Sequence, residues 1–204
     1  GCLWDYQTCS EAAKVGHLEM LKWARQNDCP WDGSTCSEAA GGGHLEVLKW
    51  ARANGCLWND LWNWDERTCA RAARGGHLET LKWLRENGCP WDSCTCTYAA
   101  WNGHLEVLKW ARENDCPWNE DTCWHAAENG HLEVLKWARA NGCPWDEWTC
   151  SKAATNGDLK MLRWARENGA PWDEDTRRIA ASKGYVEACA TTREVHAASA
   201  LMVA

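Results

Sequence analysis

Cysteine and histidine carry most of the reactive chemistry in this chain, and they recur on a fixed schedule. Cys29 and Cys36 stand seven apart, His44 follows eight later, and the trio returns in five places. Thiolate and imidazole are natural zinc ligands. However, neither cysteine pair has the short C-x2-C spacing of a zinc module. Copies of one position in stacked helical units also lie about 8–10 Å apart, so equivalent ligands do not converge on one ion. No metal ligand is assigned, and no cofactor is expected. The histidine opens a helix, where a capping role is expected of it.

Other reactive arrangements fail on geometry. Cys94 and Cys96 fall at the second and fourth positions of a helix and point about 200° apart, so they do not pair with each other. Cys94 is expected to be the most exposed thiol. A Cys-His nucleophile needs one unit with its own orienting group, and no unit departs from the shared frame in that way. Gly41-Gly42-Gly43 sits between two helices, with no preceding strand and no following Lys-Ser/Thr, so it is not a phosphate loop. No catalytic residue is assigned, and an enzyme is not expected.

The cysteines are better read as buried, reduced thiols that serve as small core residues. Fourteen of them occur among 204 residues, at two fixed places in each unit rather than in a disulfide framework. That points to an intracellular, reducing compartment, cytoplasmic or nuclear.

The elements that position these residues follow from a repeat. The opening cysteine falls at Cys2, Cys29, Cys56, Cys89, Cys116 and Cys143, with Ala170 in its place last; the spacing is 27 residues except for one unit of 33. The frame is C-P/L-W-D/N-x-x-T-C-x-x-A-A-x-x-G-H-L-E-V-L-K-W-A-R-x-N-G/D. Asp or Asn after the Trp (Asp5, Asp32, Asp65, Asp92, Asn119, Asp146, Asp173) is a strong N-cap residue. From that cap, Thr, Cys, Ala and Ala share one small, closely packing face of a first helix. A Gly ends it. The second helix runs through L-E-V-L-K-W-A-R to a C′ glycine. Its apolar residues, such as Leu18, Met20, Leu21, Trp23 and Ala24, sweep about 220° of the wheel, which implies neighbours on both sides. Glu19 early and Lys22 and Arg25 later suit the helix dipole.

The run A-A-x-x-G-H-L-E-V-L-K-W, present as Ala126 to Trp137, resembles the ankyrin repeat, whose copies carry A-A-x-x-G-H-x-x-V-V-x-x-L-L. The resemblance covers six units and, more weakly, a seventh. It departs from the family in a T-C-x-x opening where T-P-L-H is usual, and in a length of 27 where 33 is usual. The missing six residues would form the projecting hairpin finger. The shortened form is similar to arrays of large DNA viruses and unicellular eukaryotes. The resemblance implies an all-α solenoid of about seven stacked helix-turn-helix repeats, mostly without fingers, and a non-enzymatic scaffold that binds another protein.

The expected organisation is a single repeat domain over 1–204, with units at 2–28, 29–55, 56–88, 89–115, 116–142, 143–169 and 170–187. An insertion, Leu57 to Trp64, either restores a finger or loops out. Gly1 falls where a Gly closes each unit, so the array is expected to continue upstream. Tyr185 starts another second helix, and the divergent 188–204 is either a helical cap or a frayed tail.

The strongest functional signal is the part of the frame that varies. Positions one, two, five, six and nine of the first helix lie opposite the Thr/Cys/Ala/Ala face. In the fourth to sixth units they gather Tyr98, Trp101, Trp124, His125 and Trp148, expected to form a diagonal aromatic stripe. Contiguous exposed Trp and Tyr are what interface hot spots are made of. Arg67, Arg71 and Arg74 of the third unit make a short basic strip on the same face, suited to acidic or aromatic groups of a partner. These eight residues are the candidate partner-binding set, for an extended or helical protein segment. The alternatives are a metal-binding or redox-sensitive Cys/His repeat protein and a purely structural spacer.

Composition narrows the partner. The formal net charge is −7 and no Lys/Arg run occurs, so neither nucleic acid nor an anionic membrane is expected to bind. The sequence has no stretch of eighteen apolar residues and no signal-peptide pattern at its start. It carries 18 Trp and no Phe. A monomer is expected, with the aromatic stripe as the route to any self-association.

Overall fold

Each Asp-x-x-Thr-Cys run begins a helix, and each His-Leu-Glu run begins the next. The computed structural model describes residues 5–57 and 67–185. Thirteen helices and no strand lie among the described residues. The first helices are α1 (Tyr6–Lys14), α3 (Gly33–Gly41), α5 (Arg67–Arg74), α7 (Ser93–Trp101), α9 (Glu120–Glu128), α11 (Glu147–Asn156) and α13 (Glu174–Ser182). The second helices are α2 (Leu18–Gln26), α4 (Leu45–Ala53), α6 (Leu78–Glu86), α8 (Leu105–Glu113), α10 (Leu132–Ala140) and α12 (Leu159–Glu167). They divide into two compact bodies, Gly1–Trp118 with α1 to α8 and Asn119–Ala204 with α9 to α13. Cys2, Asp65, the insertion beyond Leu57 and the segment from Val186 onward fall outside the described residues.

Within each body, neighbouring first helices pack side by side, while each second helix leans on the first helix of its own repeat. The small face makes the close approach possible. Cys36, Ala39 and Ala40 are fully buried, as are Cys123, Ala126 and Ala127 in the other body. Leu48, Leu81, Leu108, Leu135 and Leu162 fill the layer below, each contributing about 1.5–3 kcal/mol by burial. The wide apolar arc of the second helix is covered to different extents in different repeats. Val47, Val107 and Val134 are buried, whereas the equivalent Met20 is 48% exposed and Trp23 53%.

The caps follow the expectation with one exception. The side chains of Asp5, Asp32, Asp92, Asp146 and Asp173 accept a backbone N–H of their helix's first turn. Asn119 makes no such bond and donates instead to Asp121 Oδ2 at 3.0 Å. Second helices close through Asn27, Asn54, Asn87, Asn114, Asn141 and Asn168, whose Nδ2 donates to the Trp carbonyl four residues back at 2.8 Å. The next residue is left-handed, a Gly at Gly55, Gly88, Gly142 and Gly169, but Asp28 (φ 58°) and Asp115 (φ 64°) in two repeats.

The histidines do not cap. His17, His44, His77, His104 and His131 stand at the N-cap of their helices without a side-chain capping bond. In the first body the ring reaches back one repeat. His44 Nε2 donates to the Lys14 carbonyl at 3.0 Å, His77 to Gly41 at 3.1 Å and His104 to Arg74 at 3.0 Å. Each acceptor stands nine residues after the frame's Asp and ends the preceding first helix, one of the carbonyls a helix end leaves unpaired. In the second body other donors serve the same place: Asn156 Nδ2 binds the Glu128 carbonyl, and Lys183 Nζ binds that of Thr155 at 2.6 Å. Asp158, which replaces the histidine, is a true cap and accepts the Met161 N–H at 2.9 Å. One position in the frame therefore holds two different devices.

Candidate functional site

Two groups with apparent chemistry have structural duties. The second cysteine of a repeat meets the opening cysteine of the next: Cys9 and Cys29 Sγ lie 3.3 Å apart, Cys36 and Cys56 3.0 Å. Equivalent positions do not converge, as the spacing predicts, but these non-equivalent ones do. The thiols are free. Burial pushes Cys9 and Cys150 up to about 12. The Cys36, Cys69 and Cys123 thiols are raised further, by the hydrogen bond to the neighbouring cysteine and then by burial. Such groups carry almost no thiolate at neutral pH and are poor nucleophiles. Cys94 is the exposed member among the described thiols. No group of three or more His, Cys, Asp and Glu placed to hold a metal ion lies among the described residues.

The frame arginines are also occupied. Arg52 Nη1 donates to the Cys56 carbonyl at 2.6 Å, and Arg25, Arg85, Arg112 and Arg139 make the equivalent bond. Their guanidinium groups lie over the opening Trp of the next repeat: Arg25 over Trp31 at 4.4 Å, Arg85 over Trp91 at 4.2 Å, Arg112 over Trp118 at 4.3 Å, Arg139 over Trp145 at 4.0 Å and Arg166 over Trp172 at 4.2 Å. This cation–π stacking gives the R…W spacing a role beyond the helix dipole.

The variable face carries more packing than its sequence suggests. In the first body, Arg67 begins α5, with its side chain outside the described residues. Arg71 pairs with Glu38 of the preceding first helix, and Arg74 lies 5.9 Å over the Tyr98 ring. Tyr98 and Trp101 stack at 5.9 Å, both half-buried. Arg71 and Arg74 border a cleft of about 330 Å³ that Lys14, Glu38 and Asn102 also line. The basic strip is thus partly neutralised by Glu38.

In the second body, Trp124, His125 and Trp148 fall on α9 and α11. Trp124 Nε1 donates to Asp121 Oδ1 at 2.8 Å, and its ring lies 3.5 Å from that of His125. The His125 side chain is only 12% exposed, with Nδ1 3.2 Å from Glu128 Oε2. Burial holds its pKa below 6.5 against the raising effect of Glu128. Lys152 of α11 pairs with Glu128 at 2.7 Å and stands 5.2 Å over the Trp124 ring. That ion pair is the main reason the Glu128 carboxyl sits below its ordinary range. Trp148 is different: it is 55% exposed. With Trp124, Glu120, Asp121, Asp146 and Lys152 it lines a cleft of about 370 Å³.

The sequence reading missed a further cleft in this body. It holds about 530 Å³ between α10 and α12, with Leu132, Leu159 and Trp164 on its wall and Lys136, Lys160 and Arg163 on its rim. Leu132, Lys136, Leu159 and Trp164 belong to the frame, while Lys160 stands where the other repeats carry Glu and Arg163 where they carry Lys, on a second helix whose surface the variation of the first helices does not mark.

Comparison with known proteins places this arrangement. The model for "Ankyrin repeats (many copies)" matches residues 36–85, 69–112 and 123–164, together more than half of the chain. The chain belongs to the ankyrin-repeat family. The human ASB11 ankyrin repeat domain, a crystal structure, superposes with a TM-score of 0.64 at 18% identity, covering 80% of this chain and 84% of that one. At that identity the likeness establishes the fold, an ankyrin α-solenoid. No curated protein matches the sequence. Ankyrin repeats generally mediate protein–protein interaction and are typically non-enzymatic scaffolds. No described helix is long and apolar enough to cross a membrane.

Proposed function

We propose that this ankyrin array is a non-enzymatic scaffold that holds an extended segment of a partner protein on the variable face of its first helices. Trp148 carries the reading. A large aromatic side chain, 55% exposed at the lip of a cleft of about 370 Å³ and backed by Trp124, has the composition and shape of a hot-spot pocket. Trp124 and Trp148 serve as anchors in the second body. In the first, Tyr98 and Trp101 present a stacked pair beside Arg71 and Arg74. His125 supports Trp124 from behind and makes little contact of its own. The array acts as a monomer in a reducing compartment; the eleven buried free thiols among the described residues support that setting.

Peptides selected from a random displayed library on the native chain test the proposal. Binding by the selected peptides is expected to fall at least tenfold in a variant with Tyr98, Trp124 and Trp148 all changed to Ala, while its thermal unfolding is preserved. Equal binding by that variant refutes the face.

A further inference from the structure

Several indoles of this protein stack beneath a cation. Trp31, Trp91, Trp118, Trp145 and Trp172 each lie under an arginine, and Trp124 lies under Lys152. Trp148 has no cation over it among the described residues, and it is the most exposed Trp of the first-helix face. The cleft beside it is anionic. Glu120, Asp121 and Asp146 line it, with Glu147 adjacent. Its one cation, Lys152, is drawn off by Glu128 at 2.7 Å. Two of the carboxylates are held in place by local bonds. Asp121 accepts from Trp124 Nε1 and Asn119 Nδ2 at 2.8 and 3.0 Å. Asp146 caps α11 by accepting the Trp148 N–H at 3.1 Å.

We propose that the cleft between α9 and α11 takes the guanidinium of an arginine on the partner segment, stacked on the open face of Trp148 and paired with Asp146 and Glu120. This rests on the reading that the first-helix face binds a protein segment, and it names the chemistry of that segment. A planar guanidinium suits both surfaces at once, because it stacks on an indole and forks onto carboxylates. A lysine ammonium offers a point charge and less of the stacking. The five internal Arg–Trp pairs show the same contact at 4.0–4.4 Å within this chain. Asp146 gives independent support: burial, then the charges of Glu147 and Glu120, raise its carboxyl above the ordinary range, and a bound cation relieves that crowding.

The test uses three capped tripeptides, Gly-Arg-Gly, Gly-citrulline-Gly and Gly-Lys-Gly, titrated into the whole chain. The readout is the indole N–H signal of Trp148, assigned by its loss in Trp148→Ala. The arginine peptide is expected to shift that signal saturably and to bind at least tenfold more tightly than its neutral citrulline isostere. The lysine peptide should bind several-fold more weakly than arginine. Asp146→Asn, which keeps the helix cap, and Glu120→Gln should each weaken arginine about threefold or more. Equal binding of arginine and citrulline, equal binding of arginine and lysine, or indifference to both substitutions overturns the proposal. The library selection separates the two readings. Selected peptides that need Tyr98, Trp124 and Trp148 but carry no arginine leave the face standing and remove the arginine.

Discussion

Changing Gly43 to Ala probes the contact that joins one repeat to the next. Gly43 has φ +71°, and a Cβ built there falls 2.4 Å from His77 Nδ1 and 2.6 Å from Cε1. The ring has little freedom to retreat, because its Nε2 donates to the Gly41 carbonyl at 3.1 Å. A non-glycine residue in the left-handed region costs about 1 kcal/mol or slightly more. Displacing the ring forfeits a hydrogen bond worth about 0.5–1.5 kcal/mol and leaves a helix-end carbonyl unpaired. The total is about 2–3 kcal/mol. Gly142→Ala provides the control, since φ there is +84° but no atom lies within 4 Å of the added Cβ; it should cost only the backbone part, about 1 kcal/mol. Urea unfolding followed by tryptophan fluorescence measures both. The decisive comparison is Gly43→Ala in a His77→Ala background, where the cost should drop to about that of Gly142→Ala. An unchanged cost in the two backgrounds would refute the idea that the glycine exists to admit the histidine.

Three further outcomes are expected. Asp115→Gly removes a left-handed non-glycine residue at φ 64° and should stabilise the fold by about 0.5 kcal/mol in urea unfolding, the backbone gain being offset in part by the freer unfolded chain. Thr149→Val should be neutral or stabilising by up to about 1 kcal/mol in the same assay, because the fully buried Thr149 hydroxyl has no hydrogen-bond partner among the described residues. The His77 and His125 pKa values are lowered from 6.5, mainly by burial. Below pH 6.5 the unfolded chain therefore binds protons that the folded chain does not, so stability should fall as pH drops through this window, and less steeply in His77→Gln. Urea midpoints at pH 7.5 and 5.5 check the sign; a rise on acidification would contradict it.

The repeat, both helices of the first six units, the first helix of the seventh and the small packed face were legible because they depend on local periodicity and on caps a few residues away. The cysteine burial was legible for the same reason: the second cysteine shares its helix face with the alanine pair. The histidine role was not, because His44 finds its acceptor 30 residues earlier, and His77 finds Gly41 36 residues earlier across the insertion. A helix-opening position looks like a cap until the neighbouring carbonyl is in place. The site divides along the same line. Trp148 stands out at the second position of α11, where the helix start lifts it clear. Trp124 and His125, at helix positions about one turn further on, are partly covered because the small face brings the next first helix close enough for Lys152 to reach both Glu128 and Trp124. The strip of Arg71 and Arg74 lost charge to a glutamate one repeat away that no periodicity within α5 reveals.

The backward reach of each histidine makes the repeats interchangeable parts. Every described repeat from the second to the fourth offers the same ring to its predecessor, and each predecessor offers the carbonyl that ends its first helix. Excising residues 29–55 would set His77 against Lys14, Cys56 against Cys9, and the Cys56 carbonyl four residues beyond Arg25. Each junction bond is replaced by one of its own kind. A gene encoding such a chain can gain or lose whole repeats by slippage without redesigning any junction. The binding face would then change in length and in the order of its side chains while the scaffold beneath stayed the same.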